Sequence, residues 1–277
     1  MRLLRSFAFF GLTAACAANE PRGQRQMVEP APMRPTTRPA NPVAPREAAD
    51  VSETALVQAS TGGGALRALD VPGFEPALLF TPPGDAQRPL VIAAHGAGGG
   101  PEWECAYWRR LTRERAFVLC LSGTRLGKGY EGYFFRDHRA LDRELRAAEA
   151  AARRGEPRMV AGSGIYAGFS QGATMGTAIV AQHAEAFPYA VLIEGFTSWN
   201  VPGARQFMRA GGRRVLLACG SKECASVAKA SQHWFEVAGG EARVEHAAGA
   251  GHTPAGPVMD KIEAALPWLV QGDANWQ

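Results

Sequence analysis

Several absences in this 277-residue sequence narrow its chemistry before any motif is considered. No Cys-x2-Cys or His-x3-His spacing is present, so the usual signature of a structural zinc site is missing. No internal repeat occurs, which argues against a solenoid or array. The folded part also lacks excess charge of either sign. Residues 1–49 hold seven arginines against three glutamates, which accounts for the whole net charge of +4. The rest of the chain is neutral and offers no electrostatic case for nucleic acid or for an anionic membrane surface. With 46% hydrophobic and 20% charged residues, the composition is that of a globular protein with a sizeable core.

The N-terminus reads as an export signal. A short basic segment at Arg2 and Arg5 precedes an apolar run over residues 7–15, with small residues around Cys16. That run is too short to span a bilayer as a stable helix, so no transmembrane segment is expected. Two processing outcomes stand open. Thr13-Ala14-Ala15-Cys16 resembles a bacterial lipoprotein box, with Leu12 one residue further back than the usual leucine, and Cys16 would then carry a lipid anchor. The alternative is simple cleavage at a small-x-small site such as Ala15-Cys16-Ala17. Either outcome places the mature protein outside the cytoplasm, secreted or anchored in a bacterial cell envelope. A signal peptide over 1–18 is therefore expected. Residues 19–64, rich in proline, arginine and small residues, should form a disordered tether, and one domain should occupy 65–270.

Five cysteines leave an odd one in an oxidising compartment, and using Cys16 for lipid leaves Cys105, Cys120, Cys219 and Cys224. Of the three possible pairings, the sequence-near pairs Cys105–Cys120 and Cys219–Cys224 are expected. Buried free thiols are the alternative.

Short apolar runs alternate with longer helical patterns. Segments 66–71 and 77–81 flank Pro72-Gly73 and read as a hairpin. Strands are expected at 90–94, 117–121, 165–168, 189–193, 214–219 and 242–246, and helices at 102–115, 138–153, 171–185, 224–238 and 257–270. The strands after the hairpin are almost wholly apolar, as they must be when both faces are covered. The expected class is α/β, with a mainly parallel central sheet, helices on both faces and a minimal cap. In such sheets, sites form at the carboxyl ends of the strands.

Reactive residues cluster at those ends. Gly168-Phe169-Ser170-Gln171-Gly172 joins the strand at 165–168 to a helix, the context in which a GxSxG serine is a nucleophile. His95-Gly96-Ala97-Gly98-Gly99-Gly100 follows another strand and can present backbone amides to an oxyanion. The expected donors are Gln171 and Ala97, with Gly98 as the alternative to Ala97. A phosphate loop is disfavoured, because Pro101 occupies the last glycine position and no Gly-Lys-Ser/Thr follows. His95 itself is expected to brace its loop.

A general base should lie late in the chain, and His252, among small residues after the last strand, fits that place better than His138, His183, His233 or His246. No aspartate occurs between Ser170 and His252, so a glutamate must orient the imidazole. Glu223, in the loop after the strand at 214–219, is favoured over Glu194, which ends the preceding strand. Tyr130, Tyr133, Phe134 and Trp199, each following a strand, are expected to line the substrate pocket. Trp103, Tyr107 and Trp108 are expected to pack in the core.

In this order the motifs resemble the α/β-hydrolase superfamily, nearest the dienelactone-hydrolase-like esterases that include polyester depolymerases and feruloyl esterases. The resemblance covers about residues 65–270. It implies a serine esterase that cleaves small-molecule or polymeric carboxylic esters through an acyl-enzyme, without cofactor or metal. A peptidase or other acyl-transfer enzyme on the same triad, or a non-catalytic binding relative, remains the alternative.

Overall fold

The computed structural model describes residues 63–195 and 198–277. The expected signal peptide, Cys16 anchor and most of the tether lie outside the described residues.

Among the described residues, ten strands form two sheets. The first eight-stranded sheet begins with β1 (Ala65–Leu69) and β2 (Ala77–Thr81), an antiparallel hairpin whose outer strand is largely exposed. β2 pairs antiparallel with β4 (Phe117–Leu121). From β4 the strands run parallel through β3 (Leu90–Ala94), β7 (Ile165–Phe169), β8 (Tyr189–Ile193), β9 (Arg214–Cys219) and β10 (Glu241–His246), in the order β1-β2-β4-β3-β7-β8-β9-β10. A separate two-stranded hairpin joins β5 (Thr124–Arg125) to β6 (Tyr133–Phe134).

The helices are α1 (Pro101–Leu111), α2 (His138–Gly155), α3 (Gln171–Ile179), α4 (Val201–Arg209), α5 (Lys222–Ala238) and α6 (Pro257–Leu269). Alternation along each strand sends side chains to two cores. In β3, Leu90, Ile92 and Ala94 join the core under α2 to α5, while Val91 and Ala93 join the core under α1 and α6. This explains why the central strands are apolar at every position: β3, β4 and β8 are buried throughout. The mainly parallel sheet with helices on both faces is thus as expected. Two disulfides, Cys105–Cys120 and Cys219–Cys224, also follow the expected pairing.

Helix α4 was not anticipated. Its residues Val201-Pro202-Gly203 look like loop, yet Asn200 caps the helix by accepting from Gly203 N at 2.8 Å and proline stands in the first turn. The helix packs on α5 and buries Phe207, so the segment between β8 and β9 builds core and not a cap over the sheet. No helix among the described residues is long and apolar enough to cross a membrane.

Candidate active site

Ser170 stands at the carboxyl end of β7, in the turn that enters α3. Its backbone has φ +50° and ψ −105°, a conformation that costs energy for a residue with a Cβ and persists only when its surroundings hold it. Those surroundings are visible. Ser170 N donates to Ile193 O at 2.8 Å, and Gly172 N donates to His95 O at 3.1 Å. The flanking glycines are steric requirements: a Cβ on Gly172 would lie 2.1 Å from Ala94 O, and one on Gly168 would lie 2.6 Å from Ala173 N. Only there can strand and helix approach closely enough to lift the serine out of the turn.

Three side chains converge at this point. His252 Nε2 lies 2.8 Å from Ser170 Oγ, and His252 Nδ1 lies 3.1 Å from Glu194 Oε2. The carboxylate is fully buried, whereas the imidazole remains 46% exposed. Glu194 follows β8 directly and has φ +52°, so it turns off the strand end toward the histidine. Burying a carboxylate requires compensating donors. Glu194 has them: Gly220 N and Ser221 N donate to Oε1, and Ser221 Oγ donates to Oε2 at 2.8 Å.

Of the two glutamates considered, the structure brings the alternative, Glu194, to the imidazole and not the favoured Glu223. Glu223 belongs to the first turn of α5, where an acidic side chain favours the positive end of the helix, and Ser221 is the N-cap. It is exposed, whereas the carboxylate within hydrogen-bond reach of His252 Nδ1 is that of Glu194. The residue that meets the imidazole immediately follows β8, the strand paired with the β7 that ends just before Ser170.

The glycine-rich loop after β3 faces Ser170. Gly98 N donates to Tyr133 O at 2.8 Å and Gly99 N to Gly96 O at 3.0 Å, so both amides are engaged within the loop. Gln171 N is at the first position of α3, where helix geometry provides no intrahelical acceptor. His95 braces this loop from beneath. Its ring nitrogens lie 2.7 Å from Gly96 O and 2.9 Å from Ser122 O. Burial lowers its pKa, against the pull of those two carbonyls, and its side chain is closed to solvent. Ser122 and Gly123 in turn donate to the buried Glu144 at 3.0 and 2.8 Å.

A cleft of about 350 Å³ opens beside the serine, bounded by Gly96–Gly99, Trp103, Phe169, His252 and Pro254. Among the described residues that bound it, the imidazole is the one ionisable side chain. None of the four aromatics expected there is among the described residues that bound this cleft. Tyr130 is 76% exposed at a loop tip. Tyr133 clamps the glycine loop through its backbone and stacks beneath Arg125, and Phe134 is its half-buried neighbour in β6. Trp199 is a core residue, edge-on to Phe207 and Phe235, with its amide donating to Ser231 Oγ. Instead, Trp103 and Phe169 meet edge to face at 5.8 Å and form the aromatic wall. Tyr107 and Trp108 pack in the core as expected, and Tyr107 OH also holds the histidine loop through Pro254 O at 3.0 Å. Phe169 had a signal in sequence, since it precedes the serine. Trp103 had none beyond its place near the start of the helix after the glycine loop.

Neither a protein-family model nor any curated protein matches the sequence. Solved structures do resemble it in shape. Esterase PE8 superposes with a TM-score of 0.57 at 20% identity, over 73% of this chain and 100% of that one. The thermostable carboxylesterase EstE1, from a metagenomic library, gives 0.56 at 16% identity over 79% and 92%. An acylaminoacyl peptidase of Pyrococcus horikoshii gives 0.57 at 11% identity, and the match covers 76% of this chain but 42% of that one. The chain thus spans about two fifths of the peptidases it resembles. Strand order, the elbow at Ser170 and these likenesses together identify the architecture as the α/β-hydrolase fold.

Proposed function

We propose that the chain is a serine hydrolase of carboxylic esters, with Ser170 as nucleophile, His252 as general base and Glu194 as the carboxylate that orients it. The continuous contact Ser170 Oγ–His252–Glu194, at 2.8 and 3.1 Å, carries this reading. His252 takes the serine proton as Oγ attacks the ester carbonyl, and Glu194 stabilises the imidazolium. The carbonyl oxygen, now an anion, rests on the amides of Ala97 and Gln171. Collapse of the tetrahedral species expels the alcohol, which takes its proton from His252. Water then attacks the acyl-enzyme with the imidazole again as base, and the acid is released.

The uncharged Trp103–Phe169 wall favours a neutral, apolar or aromatic group next to the scissile carbonyl. The same relay would also attack an amide, and one of the structural likenesses is a peptidase. Nitrophenyl ester and anilide substrates of the same acyl group separate the two. A fluorophosphonate probe is expected to label wild-type protein at Ser170 and to leave Ser170→Ala unlabelled; folded wild-type protein without label would refute the enzyme reading. Export to an oxidising compartment, by lipidation at Cys16 or by simple cleavage, is part of the same proposal and is supported by the N-terminal pattern and the two disulfides. Mass spectrometry of the mature N-terminus distinguishes the two outcomes.

A further inference from the structure

The donors that hold Glu194 have one origin. Gly220 N, Ser221 N and Ser221 Oγ all belong to the segment between Cys219 and Cys224, which a disulfide closes into a small ring. Both sulfurs lie within 4.8 Å of a Glu194 carboxylate oxygen and are buried. The same segment also holds the histidine loop: Gly251 N donates to Gly220 O at 3.2 Å, and Ala247 N donates to Cys219 O at 2.8 Å. The fit is close, since a Cβ on Gly220 would lie 2.3 Å from Gly251 O.

Within this ring Ser221 has a defined hydrogen-bond direction. Its Oγ accepts from Cys224 N at 3.2 Å, which leaves its proton for Glu194 Oε2 at 2.8 Å. Oε2 is also the oxygen that faces His252 Nδ1. Each carboxylate oxygen is therefore held from two directions, and the plane of the carboxylate is fixed while the imidazole it must orient stays partly exposed.

We propose that Ser221 is a positioning residue of the relay and that the Cys219–Cys224 disulfide is the lock that keeps it against Glu194. The inference rests on the esterase reading above. Loss of the hydroxyl or the lock lets the carboxylate turn, and His252 then spends less time aligned with Ser170. Neither Ser221 nor the cysteines line the cleft, so the loss falls on kcat and leaves KM in place. A residue that served only as the N-cap of α5 would change thermal stability and not this ratio.

The test compares wild type, Ser221→Ala, Ser221→Thr, Cys219→Ala/Cys224→Ala and Cys105→Ala/Cys120→Ala. It measures kcat and KM on a short-chain nitrophenyl ester, the rate of fluorophosphonate labelling and the thermal midpoint by circular dichroism. Ser221→Ala is expected to lower kcat and labelling rate about tenfold to hundredfold, as small misplacements of a catalytic group do. KM is expected to stay within about twofold, and Ser221→Thr, which keeps the hydroxyl, to recover most of the loss. The Cys219/Cys224 variant follows Ser221→Ala, whereas the Cys105/Cys120 variant keeps the wild-type labelling rate. An active wild type with Ser221→Ala at the same kcat and labelling rate overturns the inference and leaves the esterase reading intact. A wild type that neither labels nor turns over ester overturns that reading, and this one with it.

Discussion

The two disulfides close loops of similar kind but unequal consequence. Cys105–Cys120 ties α1 to β4 across 15 residues, inside the core beneath the first helix. Cys219–Cys224 spans 5 residues and joins the end of β9 to the first turn of α5. On the chain-entropy model they contribute roughly 3 and roughly 2 kcal/mol, so stability alone hardly distinguishes them. What they surround does. The longer loop encloses packing residues such as Trp108 and Leu111. The shorter one encloses the groups that receive Glu194. A cross-link that orders a few polar donors can matter more to chemistry than one that stabilises the whole fold.

The largest expected effect tests which loop feeds the relay. Glu194→Gln keeps the size of the side chain but lets its amide present a donor to His252 Nδ1, and it weakens the stabilisation of imidazolium. A fall in kcat of about a thousandfold or more is expected, by analogy with loss of the carboxylate in other triads. Glu223→Gln, on the exposed first turn of α5, is expected to stay within about twofold. Initial-rate kinetics on one ester decide the matter. A large loss at Glu223 would move the relay out of the contacts found here.

That comparison also marks where the sequence could be followed and where it could not. The strands were legible because unbroken apolar runs such as 117–121 have no other stable place in a chain of this length. Ser170 was legible because strand, glycine, serine, glycine and helix occur together, and His252 because little else follows the last strand. The acid was not. Glu194 and Glu223 both follow buried strands, and only the lateral order of β7, β8 and β9 brings the first within reach of His252. One local signal did exist: Ser221 followed by an acid in the next turn is a helix start, which explains Glu223 without any catalytic role. The aromatic wall failed for a similar reason. Trp199 follows a strand, as a rim residue would, but the unanticipated α4 turns it inward onto Phe207 and Phe235.

A smaller effect concerns the longer cross-link. Cys105→Ala/Cys120→Ala removes about 3 kcal/mol by the chain-entropy model, which corresponds to a drop in Tm of roughly 6–12 °C for a domain of this size. The Cys219/Cys224 variant is expected to lose less, because its loop is shorter. Thermal melts of the two double variants therefore rank them one way, and kcat ranks them the other. Identical ranking in both measurements would remove the distinction drawn between the two loops.

The last effect lies beside the longer cross-link, at Glu104, and shows only in the pH dependence of stability. This residue is buried on α1 next to Cys105; its Oε2 accepts from Trp108 Nε1 at 3.1 Å, and Oε1 has no partner among the described residues. Burial pushes its pKa up to about 8, with the Trp108 hydrogen bond acting in the opposite direction. The folded protein therefore keeps this proton up to about pH 8, while the unfolded chain releases it near 4.5. Between those values the native state binds more protons, so the free energy of unfolding falls as pH rises, by up to about 1.4 kcal/mol per unit. The contribution is fully present below the unfolded value and lost above the folded one. Glu144, raised to about 7 by burial, adds a similar slope over a narrower window. Glu104→Gln keeps an acceptor for Trp108 and carries no proton to lose. Urea unfolding of the variant from about pH 5 to about pH 9 is expected to show a shallower decline than wild type. The relay should not notice: kcat for Glu104→Gln at a fixed pH stays near wild type, because Glu104 does not line the cleft. Equal slopes in the two proteins would show that Glu104 is already ionised in the folded state, and that α1 tolerates a buried charge beside its disulfide.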